Sequence, residues 1–304
     1  MTATLAPAWL WIVCTIAACA AQTLRNAMQR SLVERVGTVG ATHVRFLFGL
    51  PFALLFLAIV ASTADLGGMR PGLVFFGWTV LGAGMQILAT ALMLAAMRER
   101  SFVVTIAYLK TEPIQVALFG AVFVGEYLGL QAMAAIVIAT AGVWLMSVPA
   151  GGGAFGRGSL RPALLGIASG AGFALSAVGF RAAILALGDG GFVPRATLTL
   201  AIGLVLQTTV LSAWLLWRDR GAFTEILRAW RPSLMAGMMG ALASQMWFLA
   251  FALQSAAAVR TLALVEILFA QIVSRRFLAQ RTTRREGGGL LLIIVGVLLL
   301  LATT

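Results

Sequence analysis

Charged side chains and a proline lie inside one of the apolar runs of this sequence. Lys110, Glu112 and Pro113 fall within AYLKTEPIQVALFGAVFVGE, residues 107–126, a run of about the length that crosses a bilayer. A charge at membrane depth costs several kcal/mol or more unless it is paired or faces water. The run therefore indicates either a structural ion pair or a polar site that binds a small solute.

Helical geometry separates the two charges of this run. Tyr108 and Glu112 are four residues apart and share a helix face, whereas Lys110 lies about 200° from each of them. Lys110 therefore needs a partner on another helix, a water path or an anionic solute. Pro113 removes a backbone donor and releases the carbonyl of Leu109, so it predicts a kink and a gating position in this helix.

Other polar and aromatic side chains lie deep in apolar runs, and all of them are candidates for substrate binding. The candidates are Gln22, His43, Trp78, Gln86, Tyr108, Lys110, Glu112, Arg181, Gln245, Trp247 and Glu266. Structural roles compete with this interpretation: Glu112 and Glu266 can form ion pairs with Arg181 or Lys110. Four arginines near span ends are expected to extend their side chains to the membrane interface: Arg25, Arg45, Arg98 and Arg260. Six tryptophans near span ends are expected to form an interfacial belt: Trp9, Trp11, Trp144, Trp214, Trp217 and Trp230.

The composition places these residues in a membrane protein. The 304 residues are 61% hydrophobic and 11% charged, against about 25% charged in a soluble domain. The net charge of +12 comes mostly from arginines in short segments between apolar runs, which does not fit a nucleic-acid-binding domain. Cys14 and Cys19 are predicted to pack, and neither a metal site nor a cofactor is expected. Glycines in GIASGAG (Gly166, Gly170 and Gly172) predict close helix packing.

The apolar runs predict an all-α integral membrane fold of ten transmembrane helices. They cover about 7–29, 41–62, 72–96, 102–124, 128–148, 162–187, 193–217, 232–254, 257–278 and 287–303. A glycine-rich linker at 151–161 separates a first five-helix repeat, 1–150, from a second, 162–304. Sliding the chain by 154 residues places Glu112 on Glu266 and Gly142 on Gly296. Because five is odd, the second half enters the membrane inverted, a plan that puts a binding site at the midplane between repeats.

These features resemble the EamA branch of the drug/metabolite transporter superfamily. The resemblance rests on the ten-span layout, on Glu112-Pro113, on Gly125-Glu126 and on Gly142, whereas Ile267 and Ala279-Gln280 depart from the pattern in the second half. Within the branch the chain is most similar to amino-acid exporters of the YddG type. The resemblance implies a bacterial inner-membrane protein with a central cavity that opens alternately to the two sides.

The sequence therefore favours a secondary transporter, rather than an enzyme, that exports amino acids (neutral, aromatic or similar small amphipathic metabolites) by alternating access through a central cavity between the two repeats. No P-loop is present, so a gradient would supply the energy, by proton coupling, exchange or facilitated diffusion. An intramembrane enzyme acting on a lipid or prenyl substrate is the alternative, and a structural or sensory protein is a third. One chain of five plus five helices is expected to act as a monomer in the bilayer.

The orientation of the chain is left open by two opposed arguments. Arginines concentrate in the loops opposite the termini, and only Arg70 and Arg195 lie on the side of the termini. Basic loops mark the cytoplasmic face, so this asymmetry places both termini outside the cytoplasm. The family resemblance implies cytoplasmic termini.

Overall fold

The computed structural model describes residues 6–99, 108–147, 161–267 and 284–303, and the regular elements in these ranges are helical. We number the α-helices in chain order: α1 Leu10–Leu47, α2 Leu50–Thr63, α3 Leu73–Glu99, α4 Glu112–Phe119, α5 Leu130–Ser147, α6 Arg161–Ala186, α7 Phe192–Arg218, α8 Arg220–Arg228, α9 Trp230–Leu253, α10 Ala256–Leu262 and α11 Arg284–Leu301. The predicted linker lies outside the described residues except for Arg161, as do parts of the fourth and ninth predicted spans.

Five of the described helical segments are long and apolar enough to cross a membrane. They are Val39–Thr63, Leu73–Ala96, Ala163–Ala186, Phe192–Arg218 and Trp230–Leu253. Four shorter apolar segments accompany them: Glu112–Val124, Leu130–Leu145, Ala256–Val265 and Gly287–Leu301. The chain is thus an all-helical, multi-pass membrane protein in the part that the structure describes.

A glycine interrupts α1 between the first two predicted spans. Gly37 has φ +69° and ψ −179°, a backbone conformation that is essentially restricted to glycine. The helical run therefore changes course at Gly37, and the second apolar segment begins two residues later, at Val39. The interruption explains how one nearly continuous helix contains two predicted spans.

The chain forms two compact units, and each is described by itself. Unit 1 comprises Met1–Ile87 and Gly179–Gln254, and unit 2 comprises Leu88–Val178 and Ser255–Thr304. Each unit combines segments from both predicted repeats, and α3 and α6 each contribute to both units. The repeat boundaries themselves stay a prediction.

Unit 1 buries several residues that the sequence assigned to the membrane interface. The side chains of Arg25 and Arg45 are only 5% and 7% exposed, and Trp11 is 4% exposed. Arg25 donates to the side-chain oxygen of Asn26 at 2.8 Å, and the Arg45 guanidinium lies over the Phe46 ring. The interfacial prediction is therefore wrong for these three residues. Their position along the chain is near a span end, but their helix face points into the protein.

Exposed tryptophans fit the predicted interfacial belt better. Trp9, Trp144, Trp214, Trp217 and Trp230 all keep substantial exposed surface. Both cysteines are buried and free, as expected for packing residues.

Candidate functional site

The helix that carries Lys110 and Glu112 is interrupted between these two residues. Tyr108 and Leu109 are helical, Lys110 and Thr111 form a turn, and α4 begins at Glu112. Pro113 occupies the first turn of α4, where a backbone N–H has no partner within the helix. The Thr111 hydroxyl donates to the Tyr108 carbonyl at 2.8 Å and closes the turn. Regular helical hydrogen bonding is thus interrupted just before Pro113, where the sequence predicted a kink.

Two glycines of α6 lie against this break. A Cβ at Gly166 would stand 2.6 Å from the Tyr108 Cβ, and one at Gly170 would stand 3.2 Å from the Leu109 carbonyl oxygen. Both glycines belong to the predicted small-residue face, and the spacing of four places them on one side of the helix. The close packing predicted for Gly166 and Gly170 is confirmed, and it covers the carbonyl that Pro113 releases.

Two ion pairs connect the region of α4 to the region of α10 within unit 2. Lys110 Nζ lies 3.5 Å from Glu266 Oε2, and Arg260 Nε lies 3.2 Å from Glu112 Oε1. The four side chains are between 13% and 18% exposed. Lys110 therefore has a partner on another helix, one of the three possibilities that its helical position left open. Glu112 pairs with Arg260, which the sequence had assigned to the interface, and not with Lys110 or Arg181.

Both chain segments that carry these pairs are irregular. The turn at Lys110 and Thr111 separates the charges on one side, and a 3₁₀ turn at Ala263–Val265 immediately precedes Glu266 on the other. Each segment contributes one cation and one carboxylate, and each pair crosses between segments. The arrangement places two positive and two negative groups where regular helical hydrogen bonding is broken. Such groups can exchange partners with a small charged solute.

A second contact in unit 2 brings α5 and α11 unusually close. A Cβ at Gly142 would stand 2.6 Å from the Gly289 carbonyl oxygen and 2.8 Å from the Ile293 nitrogen. A Cβ at Gly296 would stand 2.6 Å from the Ala139 nitrogen and 2.7 Å from the Ala135 carbonyl oxygen. In both cases the neighbour is backbone, which cannot rotate away. The two glycines let these helices pack backbone to backbone.

The candidates of unit 1 form polar contacts among its own helices. Trp247 Nε1 donates to Gln22 Oε1 at 3.2 Å, and Gln245 Nε2 donates to Thr197 Oγ1 at 2.9 Å. Arg181 donates to the carbonyl of Phe251. Trp247 is buried, while Gln22 and Trp78 remain partly exposed.

His43 and Gln86 also find partners in unit 1. The His43 Nε2 lies 2.9 Å from the Ser212 hydroxyl, and its ring stacks near Phe223. Gln86 Oε1 accepts from Gln207 Nε2 at 2.8 Å. His43 is fully buried. Gln207 escaped the sequence analysis although it interrupts an apolar run as visibly as Gln86 does.

Among the described residues, no three His, Cys, Asp or Glu side chains are grouped as metal ligands. The polar groups of unit 2 are instead a set of paired charges.

Residues 9–148 match the family model described as the EamA-like transporter family. The matched segment coincides with the first predicted repeat and includes Gly142 and the pair Glu112-Pro113. The match therefore supports the resemblance to the EamA branch over this part of the chain. No curated protein matches the sequence.

A solved structure described as "Crystal structure of protein" has the same fold. Its TM-score is 0.70 at 14% sequence identity, over 97% of this chain and 96% of that chain. At this identity the likeness concerns the fold alone.

Proposed function

We propose that the chain is a secondary transporter of the drug/metabolite type. In this proposal it exports neutral or aromatic amino acids, or similar small amphipathic metabolites, by alternating access. Support comes from the match of residues 9–148 to a transporter family and from the five apolar membrane-length segments. Localisation in a bacterial inner membrane and action as a monomer belong to the same proposal.

The proposal rests on the two ion pairs of unit 2, Lys110 with Glu266 and Arg260 with Glu112. An amino acid presents an ammonium and a carboxylate together, and these need an acceptor and a donor. Glu112 and Glu266 supply the first, while Lys110 and Arg260 supply the second. Because the four charges sum to zero, a zwitterion can replace one internal pair without leaving a stranded charge.

The pair distances suit such an exchange. Charge-assisted hydrogen bonds between nitrogen and oxygen are usually about 2.7–2.9 Å long, and the pairs measure 3.5 and 3.2 Å. The four side chains keep 13–18% of their surface exposed, and Glu112 Oε1 and Arg260 Nε are buried without a well-aligned hydrogen bond between them. We assign Pro113 and the break beside it to gating, since the segment there lacks regular helical hydrogen bonds.

For the candidates of unit 1 we propose two kinds of role. Gln22 and Trp78 are partly exposed, and contact with substrate stays a prediction for both. The contacts of His43, Gln86, Arg181, Gln245 and Trp247 support a role in holding the helices of unit 1 together.

The experiment is uptake of labelled amino acids into liposomes that contain the pure protein, with and without a pH step. Glu112→Gln and Lys110→Met should each lower uptake at subsaturating substrate by about thirty-fold or more, because each leaves a mostly buried partner unpaired. Arg228→Gln is the matched control, since Arg228 forms an exposed pair with Glu225. It should transport like the unaltered protein.

Three results would refute the proposal. If no amino acid is taken up, amino acids are not the substrates. If all variants take up substrate equally, the four charged residues do not form the binding site. Chemical conversion of a lipid or prenyl substrate without movement would favour the enzyme alternative. If the uptake that remains in Glu112→Gln no longer responds to the pH step, proton coupling through that carboxylate is supported.

A further inference from the structure

An apolar groove on unit 2 lies beside α5. Its volume is about 610 Å³, and its walls come from α4, α5 and the first turn of α11. The lining residues are Thr111, Ile114, Val137, Thr140, Ala141, Trp144, Leu145 and Arg285. From Val137 to Leu145 the groove follows α5 for about 12 Å, close to the hydrocarbon thickness of one leaflet, about 15 Å. A lipid acyl chain fits these dimensions.

A hydroxyl group in this groove lacks the partner that helical threonines usually find. Thr140 is 4% exposed, and its Oγ1 has no hydrogen-bond partner among the described residues. Three other buried threonines donate to the carbonyl four residues earlier, Thr15 to Trp11, Thr79 to Phe75 and Thr261 to Ala257, whereas Thr208 is like Thr140 in having no partner in the part of the chain that the structure describes. A buried hydroxyl without a partner is costly in an apolar setting. An ester or hydroxyl oxygen of a bound molecule would satisfy Thr140.

The mouth of the groove is basic and aromatic. Arg285 is exposed, and Trp144 keeps 41% of its surface exposed. Arg285 also ends the run RTTRR, residues 281–285, which has three arginines. The positive-inside rule assigns this run to the cytoplasmic face, where anionic lipids concentrate and basic pockets between helices bind lipid head groups.

We propose that this groove binds one anionic phospholipid. One acyl chain lies along α5 between Val137 and Leu145, Thr140 donates to an ester oxygen, and Arg285 binds the phosphate. Trp144 borders the glycerol region. The apolar wall alone would hold any lipid, so the preference for an anionic head group comes from Arg285. This site is independent of the proposed transport activity.

Native mass spectrometry of the full chain in detergent tests the site. The probes are dioleoyl phosphatidylglycerol and dioleoyl phosphatidylcholine at equal concentration, which share their acyl chains and differ in the head group, anionic in the first and zwitterionic in the second. We expect one phosphatidylglycerol adduct, favoured about five-fold over phosphatidylcholine, the ratio that a single basic residue gives against an anionic surface. Arg285→Gln should bring the ratio towards one, and Ala141→Phe, which fills the groove, should remove both adducts.

Arg231→Gln is the matched control, because Arg231 also lies beside an exposed tryptophan, Trp230, but on unit 1. It should leave the adduct unchanged. Equal retention of the two lipids by the unaltered protein would overturn the proposal, as would an adduct that survives both Arg285→Gln and Ala141→Phe. Size-exclusion profiles and melting temperatures of the variants exclude misfolding as the cause of a loss. Thr140→Val, which keeps the volume, should weaken the adduct without changing the lipid ratio.

Discussion

The contact between α5 and α11 predicts a measurable cost for adding a single methyl group. In Gly142→Ala the new Cβ would lie 2.6 Å from the Gly289 carbonyl oxygen, whereas ordinary contact begins near 3.4 Å. The helices must therefore separate by about 0.8 Å. Overpacking of this kind costs about 1–3 kcal/mol. The same change at Gly296, where the closest atom is the Ala139 nitrogen at 2.6 Å, should cost a similar amount.

The double substitution gives a sharper expectation than either single one. One separation of α5 from α11 relieves both clashes, so the variant with alanine at both Gly142 and Gly296 should cost less than the sum of the single costs. Neighbouring sites coupled through a shared backbone shift typically depart from additivity by 0.5–3 kcal/mol. With single costs of about 2 kcal/mol, the double variant should lose about 2–3 rather than 4 kcal/mol.

The assay is equilibrium unfolding in mixed micelles, with the denaturing detergent as the variable. Gly77→Ala is the control, since Gly77 lies in α3 and a Cβ there meets nothing within 4 Å. Alanine is the better helix former by up to about 1 kcal/mol, so the control should be neutral or stabilising. Unchanged stability in Gly142→Ala, or strictly additive single costs, would refute the reasoning from this contact.

Three further predictions concern the polar contacts and the helix break. The variant with both Lys110→Met and Glu266→Gln should lose about 0.5–3 kcal/mol less stability than the sum of the two single losses, because it leaves no unpaired charge. A double-mutant cycle measured by unfolding tests this, and a coupling energy of zero would mean that the pair does not stabilise the protein. Gly166→Ala should lower the melting temperature, since its Cβ would lie 2.6 Å from that of Tyr108, and an unaltered melting temperature would contradict this packing. Ser212→Ala should cost about 1–3 kcal/mol by leaving a nitrogen of the buried His43 without its partner, and thermal melts equal to the parent would disprove it.

The sequence predicted the class of protein because the apolar runs are long and the charged residues few. It also indicated that Lys110 needs a partner on another helix, a water path or an anionic solute, since residues two apart on a helix face different directions. The pair of Lys110 with Glu266 was one of several possible ion pairs, and the sequence did not choose among them. The choice depends on how two helices are shifted and rotated relative to each other. The sequence pattern of a single helix determines neither the shift nor the rotation.

The errors concern residues near the ends of apolar runs. Hydropathy locates Arg25, Arg45 and Arg260 along the bilayer normal but gives no information on which helix face they occupy. Arg260 lies in α10, which begins only four residues earlier, at Ala256, and its side chain meets Glu112. A basic residue near a span end therefore predicts the interface only if its face is exposed to lipid. For Arg260, the carboxylate of Glu112 in another predicted span was the signal that favoured an ion pair over the interface.

The contacts of the two glycines follow the internal register of the sequence. Gly142 meets Gly289 and Ile293, and Gly296 meets Ala135 and Ala139. Each contact becomes the other when every residue is shifted by 154 positions, the shift that relates Glu112 to Glu266. The two contacts are therefore reciprocal under this shift.

The two ion pairs also join the two halves of the sequence in both directions. Their cations, however, are not related by the shift of 154 residues. Each glutamate pairs with a cation from the other half, yet Lys110 precedes Glu112 by two residues while Arg260 precedes Glu266 by six. The glutamates are therefore equivalent in register and the cations are not. In the proposed transport site, the unequal placement of Lys110 and Arg260 gives the two carboxylates different surroundings.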